Sequence, residues 1–306
     1  MRRHIILCLV LLSFAAIYAQ RTVKLESKST DIEQWISRNF GKGQVPPFSF
    51  VYDGTPSSYF IKKWKYSKIH HPNTEPDVSA YTITYTEPQT GFKVECDVKG
   101  YPQYGAVDWT LRFVNHAESN SAQISDVKTA DISFSTSAKG PFRIHYAEGS
   151  TGARHDFAPR MADLQTGDSL YRAPHGGRSS SHGGFPFFNI ETQAQCGAMV
   201  AIGWTGQWYS LIKPVSASMV HLDTGLEHFN AYLKPGERIR MASVCLLFWE
   251  GADRMIGHNT FRRFMLAHRS RKIGNDAGFH PCTPAGSLTL HPFPEIAICF
   301  TQTVSR

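Results

Sequence analysis

Repeated alternation of polar and apolar residues is what most constrains this chain. Thr82, Ile83, Thr84, Tyr85 and Thr86 alternate, and after the turn-forming Glu87-Pro88-Gln89-Thr90-Gly91 the alternation resumes over 92–98. Successive side chains of a strand point to opposite faces, so two such runs joined by a turn predict a hairpin. Further aromatic and β-branched runs occupy 46–52, 59–65, 106–115, 124–134, 142–146, 198–204 and 239–249, bounded by Gly, Pro, Asn or Asp. About a dozen short strands with few helices predict a mainly β chain built as a large antiparallel β-sandwich. The run 241–249 is nearly all apolar, which predicts a strand buried on both faces.

Two stretches depart from this period. At 31–36 the text is helical, with Thr30 or Asp31 as its cap. After Glu250-Gly251, Phe261, Phe264, Met265 and His268 recur at three- and four-residue spacing, with arginines on the other face. This predicts an amphipathic linking helix over 251–273, capped by Asn259 or Asp253. The tail 274–306 is broken by prolines and has no period.

The first 19 residues read as a secretory signal: Arg2 and Arg3, an apolar run over 5–12, then small residues up to Ala19. The product is expected to be secreted, periplasmic or extracellular, and free of the membrane once processed. The sandwich domain is expected to span 20–250. The formal net charge of +7 loses the two signal arginines, and 7 − 2 = +5 is mild for 306 residues. The basic residues are scattered apart from Arg262, Arg263, Arg269, Arg271 and Lys272, which read as a solvated helix face, so nucleic acid is not an expected partner. Of six cysteines, Cys8 lies in the signal; Cys96, Cys196 and Cys245 sit in strand-like text as small hydrophobes. No cysteine or histidine spacing marks a metal site, and no cofactor is expected.

The stretch 174–208 is the strongest candidate for a ligand-facing rim. Gly176, Gly177, Gly183 and Gly184 surround Arg178, Ser179 and His182, and a buried-strand pattern follows that ends on Trp204 and Trp208. Flat aromatic faces suit sugar rings, whose hydroxyls need directional polar partners. Trp204 and Trp208 are therefore the candidate sugar-facing aromatics, with Arg178, Ser179 and His182 as polar neighbours. A glycine-rich turn beside two core tryptophans is the plainer alternative.

In order along the chain stand FSFVYDG at 48–54, HYAEGS at 145–150, DFAPR at 156–160, GGRSS and GGFPFFNIE within 176–191, AIGWTGQW at 201–208, LFWEG at 247–251 and GHNTFRRFMLAH at 257–268. Together these resemble the N-terminal domain of the glycoside hydrolase family 36 α-galactosidases (melibiases). The resemblance implies a β-supersandwich of the galactose-mutarotase-like kind, an α-galactoside as the sugar partner, and self-association through the sandwich. It also implies a catalytic (β/α)₈ barrel beyond the linking helix that carries both catalytic aspartates, one a nucleophile and one an acid/base. Such a barrel needs at least ~200 residues, and 274–306 does not resemble its start, so the chain is expected to be truncated or frame-shifted there, without catalytic residues of its own.

Three readings follow. The chain is a sandwich domain that binds carbohydrate or assembles; or an enzyme, completed by a partner chain or by an acid/base site on the sandwich; or an inactive remnant. For the second reading the carboxylates are Asp156 near Glu148 and Glu191 near Asp223, with His145, His155 and His175 as bases.

Overall fold

The computed structural model describes residues 22–25, 31–72, 75, 77–176 and 180–270, with the backbone of 272–273 and 276–277. The signal-like segment and most of the tail lie outside the described residues, as do Arg178 and Ser179.

Two sheets face each other. One has the strand order Leu170–Arg172, Trp208–Ser216, Met219–Leu226, Ile124–Ser135, Ser49–Tyr52, Thr55–Pro56, with Thr22–Lys24 and Asn230–Ala231 also paired to Ile124–Ser135. The other runs Pro159–Leu164, Phe142–Glu148, Gly184–Glu191, Cys196–Gly203, Arg238–Glu250, Ala106–Val114, Lys93–Tyr101, Ser79–Thr86, Lys65–His70. Pairing is antiparallel except where Thr22–Lys24 joins Ile124–Ser135 in parallel. This is the mainly β, large antiparallel sandwich expected from the alternation, and it agrees with the supersandwich that the resemblance implies.

The inner faces make the core. Val98, Trp109 and Leu111 from one sheet meet Ala130, Ile132 and Leu222 from the other, all fully buried. Trp109 also ties the layers together, its indole N–H donating to the Thr129 carbonyl at 2.7 Å. The predicted hairpin pairs Ser79–Thr86 with Lys93–Tyr101 in unbroken register. Its turn is closed by Glu87, whose carboxylate accepts from the Gln89 and Thr90 amides. The strand Arg238–Glu250 is buried on both faces from Val244 to Trp249.

The short helix Ile32–Phe40 is capped by Asp31, which accepts from the Glu33 and Gln34 amides. It packs Trp35 onto Trp109, with ring centroids 6.0 Å apart. The run 59–65 is not a strand. Two 3₁₀ turns, Ser57–Tyr59 and Ile61–Lys63, precede a strand that starts at Lys65. Phe60 and Trp64 explain the difference: four apart, they share one face, stack at 4.8 Å and both pack on Phe50. Strand alternation would not place positions four apart in such close contact. His70 ends the strand Lys65–His70.

The predicted linking helix runs from Met255 to His268, and Asp253 is its cap, accepting from the Met255 amide at 2.8 Å. The helix passes from a first compact unit ending at Phe261 to a second starting at Arg262. Its first turns lie on the outer face of the nine-stranded sheet. Gly257 sits over the Trp249 ring, where a β-carbon would lie 2.6 Å from the nearest ring atom.

Candidate functional site

Three places gather chemistry-bearing side chains. The first is the glycine-rich rim. Gly183 takes a φ of +75°, and a β-carbon there would run into the His175 ring, so the turn admits only glycine without strain. The His175 amide donates to the His182 carbonyl at 2.9 Å, and Ser150 bridges to His182 from the neighbouring loop. That loop is organised by Asp156. Its carboxylate accepts from Ser150 Oγ at 2.5 Å and from the amides of Thr151, Gly152 and Ala153. The hydrogen bond from Ser150 and those amides hold the Asp156 pKa down at about 2.

The two rim tryptophans separate. Trp208 is fully buried, and its indole N–H donates to the Ser180 carbonyl at 2.8 Å. Its ring faces are core surface, packed 6.0 Å from Phe188, and are not offered to a ligand. This corrects its reading as a sugar-facing aromatic: Trp208 is the first residue of a strand whose inward positions are 208, 210 and 212. Trp204 lies past the end of its own strand, half-buried, with one side on the core. His182 is also half-buried.

The second place is an open cleft of about 340 Å³ beside the helix start, lined by Arg143, His145, Arg160, Glu191, Asp253 and Arg254 among others. His145 and Asn189 face each other across two paired strands, and Glu191 follows two residues later on the same face. His145 Nε2 lies 2.7 Å from Glu191 Oε2. Behind them Asn189 is fully buried, accepting from Trp249 Nε1 at 2.8 Å and facing His258 Nε2 at 3.3 Å. Burial, with the nearby His145 and Arg254, pushes the His258 pKa down.

Of the acid/base residues weighed from sequence, His145 and Glu191 meet, although neither was matched with the other. Glu191 and Asp223 lie on different sheets. Glu148 is held by Arg160 at 3.3 Å and Arg172 at 3.0 Å; burial raises its pKa, and the two guanidiniums outweigh that and lower it. His155 and His175 sit in the rim loops away from this pair.

The third place is on the outer face of the eight-stranded sheet, where Asp131, His221 and Asp223 cluster. Burial disfavours the His221 imidazolium, but hydrogen bonds to Asp131 and Asp223 prevail and raise its pKa. Sequence spacing missed this group because its members come from two strands about ninety residues apart. The His-x-Asp step at 221–223 was its only local trace.

No family model matches the sequence, and no curated protein matches it. Solved structures do match in fold. A GH36 α-galactosidase from Geobacillus stearothermophilus in complex with stachyose superposes with a TM-score of 0.53 at 14% identity, over 74% of this chain and 33% of that one. The α-galactosidase from Lactobacillus brevis gives 0.51 at 13% identity, over 73% and 31%. The Geobacillus enzyme in complex with 1-deoxygalactonojirimycin gives 0.51 at 14%, over 73% and 32%. This chain therefore spans about a third of the length of the α-galactosidases that share its fold, and its two-sheet sandwich is the part they have in common.

Proposed function

We propose that this chain is the sandwich part of an exported α-galactosidase-like glycoside hydrolase, and that it helps hold an α-galactoside without cleaving it. The fold shared with α-galactosidases over a third of their length carries this reading. The carboxylates support it. Retaining hydrolysis needs two of them about 5–5.5 Å apart on an open floor. Here Glu148 is neutralised by two arginines, Asp156 is spent on its loop, and Asp223 is engaged by His221 and Lys128. Trp204 and His182 form the proposed sugar-facing rim, to which Arg178 and Ser179, outside the described residues, are assigned from the sequence alone, and self-association through the sandwich belongs to the same reading.

Hydrolysis of a chromogenic α-galactoside, paired with titration of galactose or melibiose against tryptophan fluorescence, tests this. Saturable quenching lost in Trp204→Ala, with no turnover, is the expected result. Turnover above background, or no response to either sugar, removes the proposal.

The His145–Glu191 pair at the cleft favours a second reading, an acid/base site on the sandwich itself. A sugar-processing rate abolished by Glu191→Gln would establish it.

A further inference from the structure

The positive charge of this chain is gathered in one segment. Residues 34–74 contain six cations, Arg38, Lys42, Lys62, Lys63, Lys65 and Lys68, against the single anion Asp53. Over the rest of 20–306, 24 cations face 24 anions, so the segment holds the whole excess of +5. Ion pairing follows the same division. Lys99, Arg112, Lys128, Arg143, Arg160, Arg172 and Arg238 each pair with a carboxylate, and all lie outside 34–74. Among the described residues, Arg38, Lys42, Lys63, Lys65 and Lys68 are exposed and pair with none.

The fold brings these residues to one border. Lys65–His70 is the last strand of the nine-stranded sheet, paired among the described strands only with Ser79–Thr86, so its other side presents unpaired backbone amides and carbonyls. Lys65 and Lys68 fall on opposite faces of that strand, about 10 Å apart along it, and so flank the free edge. Just before it, the 3₁₀ turn Ile61–Lys63 and the residue after it bury Ile61 and Trp64 and leave Lys62 and Lys63 exposed. The end of the helix Ile32–Phe40 joins the same border. Tyr66 Oη donates to the Phe40 carbonyl at 2.9 Å, which brings the stretch holding Arg38 and Lys42 beside the strand.

Lysines on an edge strand have a plainer use, since they stop two sheets from joining edge to edge. That accounts for Lys65 and Lys68, but not for Lys62 and Lys63 in the turn or for Arg38 and Lys42 at the helix end. A field of one sign gathered from three elements attracts a polyanion. Shape decides which one. Attraction to a lipid surface fades within a Debye length and so favours cations in one plane, whereas these flank an edge. A single-stranded nucleic acid stacks its bases on a series of open rings, and of Tyr59, Phe60, Trp64 and Tyr66 only Tyr59 is exposed. A linear chain charged along its length fits, with its anionic groups between the ammonium groups and its hydroxyls against the free amides and carbonyls. We propose that the border of the nine-stranded sheet at 62–68 binds an acidic polysaccharide, a chain bearing sulfate or carboxylate groups. Four strands separate this border from Cys196–Gly203, after which Trp204 stands, so the site is independent of the sugar-facing rim.

Titration of the full-length protein against fluorescently labelled heparin, a sulfated chain, and polygalacturonate, a carboxylated one, tests this, with anisotropy as the readout and neutral dextran as the control. The wild type is expected to bind at least one of the acidic chains and to ignore dextran. Its affinity should fall about tenfold or more between about 50 and 200 mM salt, because exposed charges are screened. The preferred chain separates sulfate from carboxylate recognition. The triple variant Lys63→Gln, Lys65→Gln, Lys68→Gln should weaken binding about tenfold or more with an unchanged unfolding midpoint. The triple variant Lys139→Gln, Arg154→Gln, Lys234→Gln removes the same charge from exposed positions elsewhere and should change affinity by less than about twofold. Equal losses in the two variants would make the attraction one of net charge and overturn the site. No binding by the wild type, or tighter binding to a single-stranded oligonucleotide or to phosphatidylserine vesicles, would overturn the partner.

Discussion

The two sheets share one interior and differ on their outer faces. Over the nine-stranded sheet, outward positions in the middle strands carry Met199, Leu247 and Trp249, all nearly or fully buried, and the first turns of the helix Met255–His268 lie against Trp249. Over the eight-stranded sheet, the corresponding positions carry Asp131, Ser133, His221 and Asp223. Apolar burial on an outer face is what packing alone produces. Polar burial needs partners for every group, and so marks a place where something beyond packing is arranged.

The two rim tryptophans give the largest expected contrast. Trp208→Ala removes a core ring and strands the Ser180 carbonyl, and should cost about 3–5 kcal/mol. Trp204→Ala, at a half-buried position past the strand end, should cost under about 1.5 kcal/mol. Urea unfolding of both variants measures this. Equal losses would make Trp204 core as well, and would take away the proposed sugar-facing rim.

Next comes the polar tie on the nine-stranded sheet. Asn189→Leu leaves the Trp249 indole N–H without its partner in a dry position and should cost about 1–3 kcal/mol. A near-neutral result would mean that this outer face behaves as plain apolar packing. Gly183→Ala should follow at about 1–2 kcal/mol, from the left-handed backbone and the His175 ring. Faster amide exchange confined to 149–151 and 181–184 would locate that cost in the rim.

What was legible in the sequence follows from range. The hairpin 82–98, the strand 239–249 and the Asp31 cap are written in neighbours, because alternation and capping act over a few residues. The run 59–65 misled because aromatic content was taken for strand, while the four-residue spacing of Phe60 and Trp64 carried the true signal. The sites were less legible. Whether Trp208 faces inwards depends on strand phase, which a glycine-rich approach such as 203–206 does not fix. Asp131 with His221, and His145 with Glu191, are joined by register between strands far apart in sequence. Nothing in the local text of either partner announces the other.

The smallest effect is also the most local, and it links the rim to pH. Asp156 is half-buried in a surface loop whose neighbours 151–155 are exposed, so its contribution lies in loop order and not in global stability. Its folded pKa is depressed to about 2 from an ordinary 3.8, so between those values the unfolded loop binds the proton and the folded loop does not. The stabilisation is therefore complete above about pH 4 and is lost as pH falls towards 2. Limited proteolysis of 150–158 by an acid-active protease should accelerate across that window. Asp156→Asn should be cut faster already at pH 5 and show a flatter profile, the residual slope belonging to Glu148, whose pKa is lowered too. Because Ser150 bridges to His182, the same variant should weaken any galactose-dependent quenching of Trp204 without lowering the midpoint of urea unfolding. An Asp156→Asn profile that overlays the wild type would separate the loop from the rim, and would place the support for His182 in the Ser180–Thr205 contact instead.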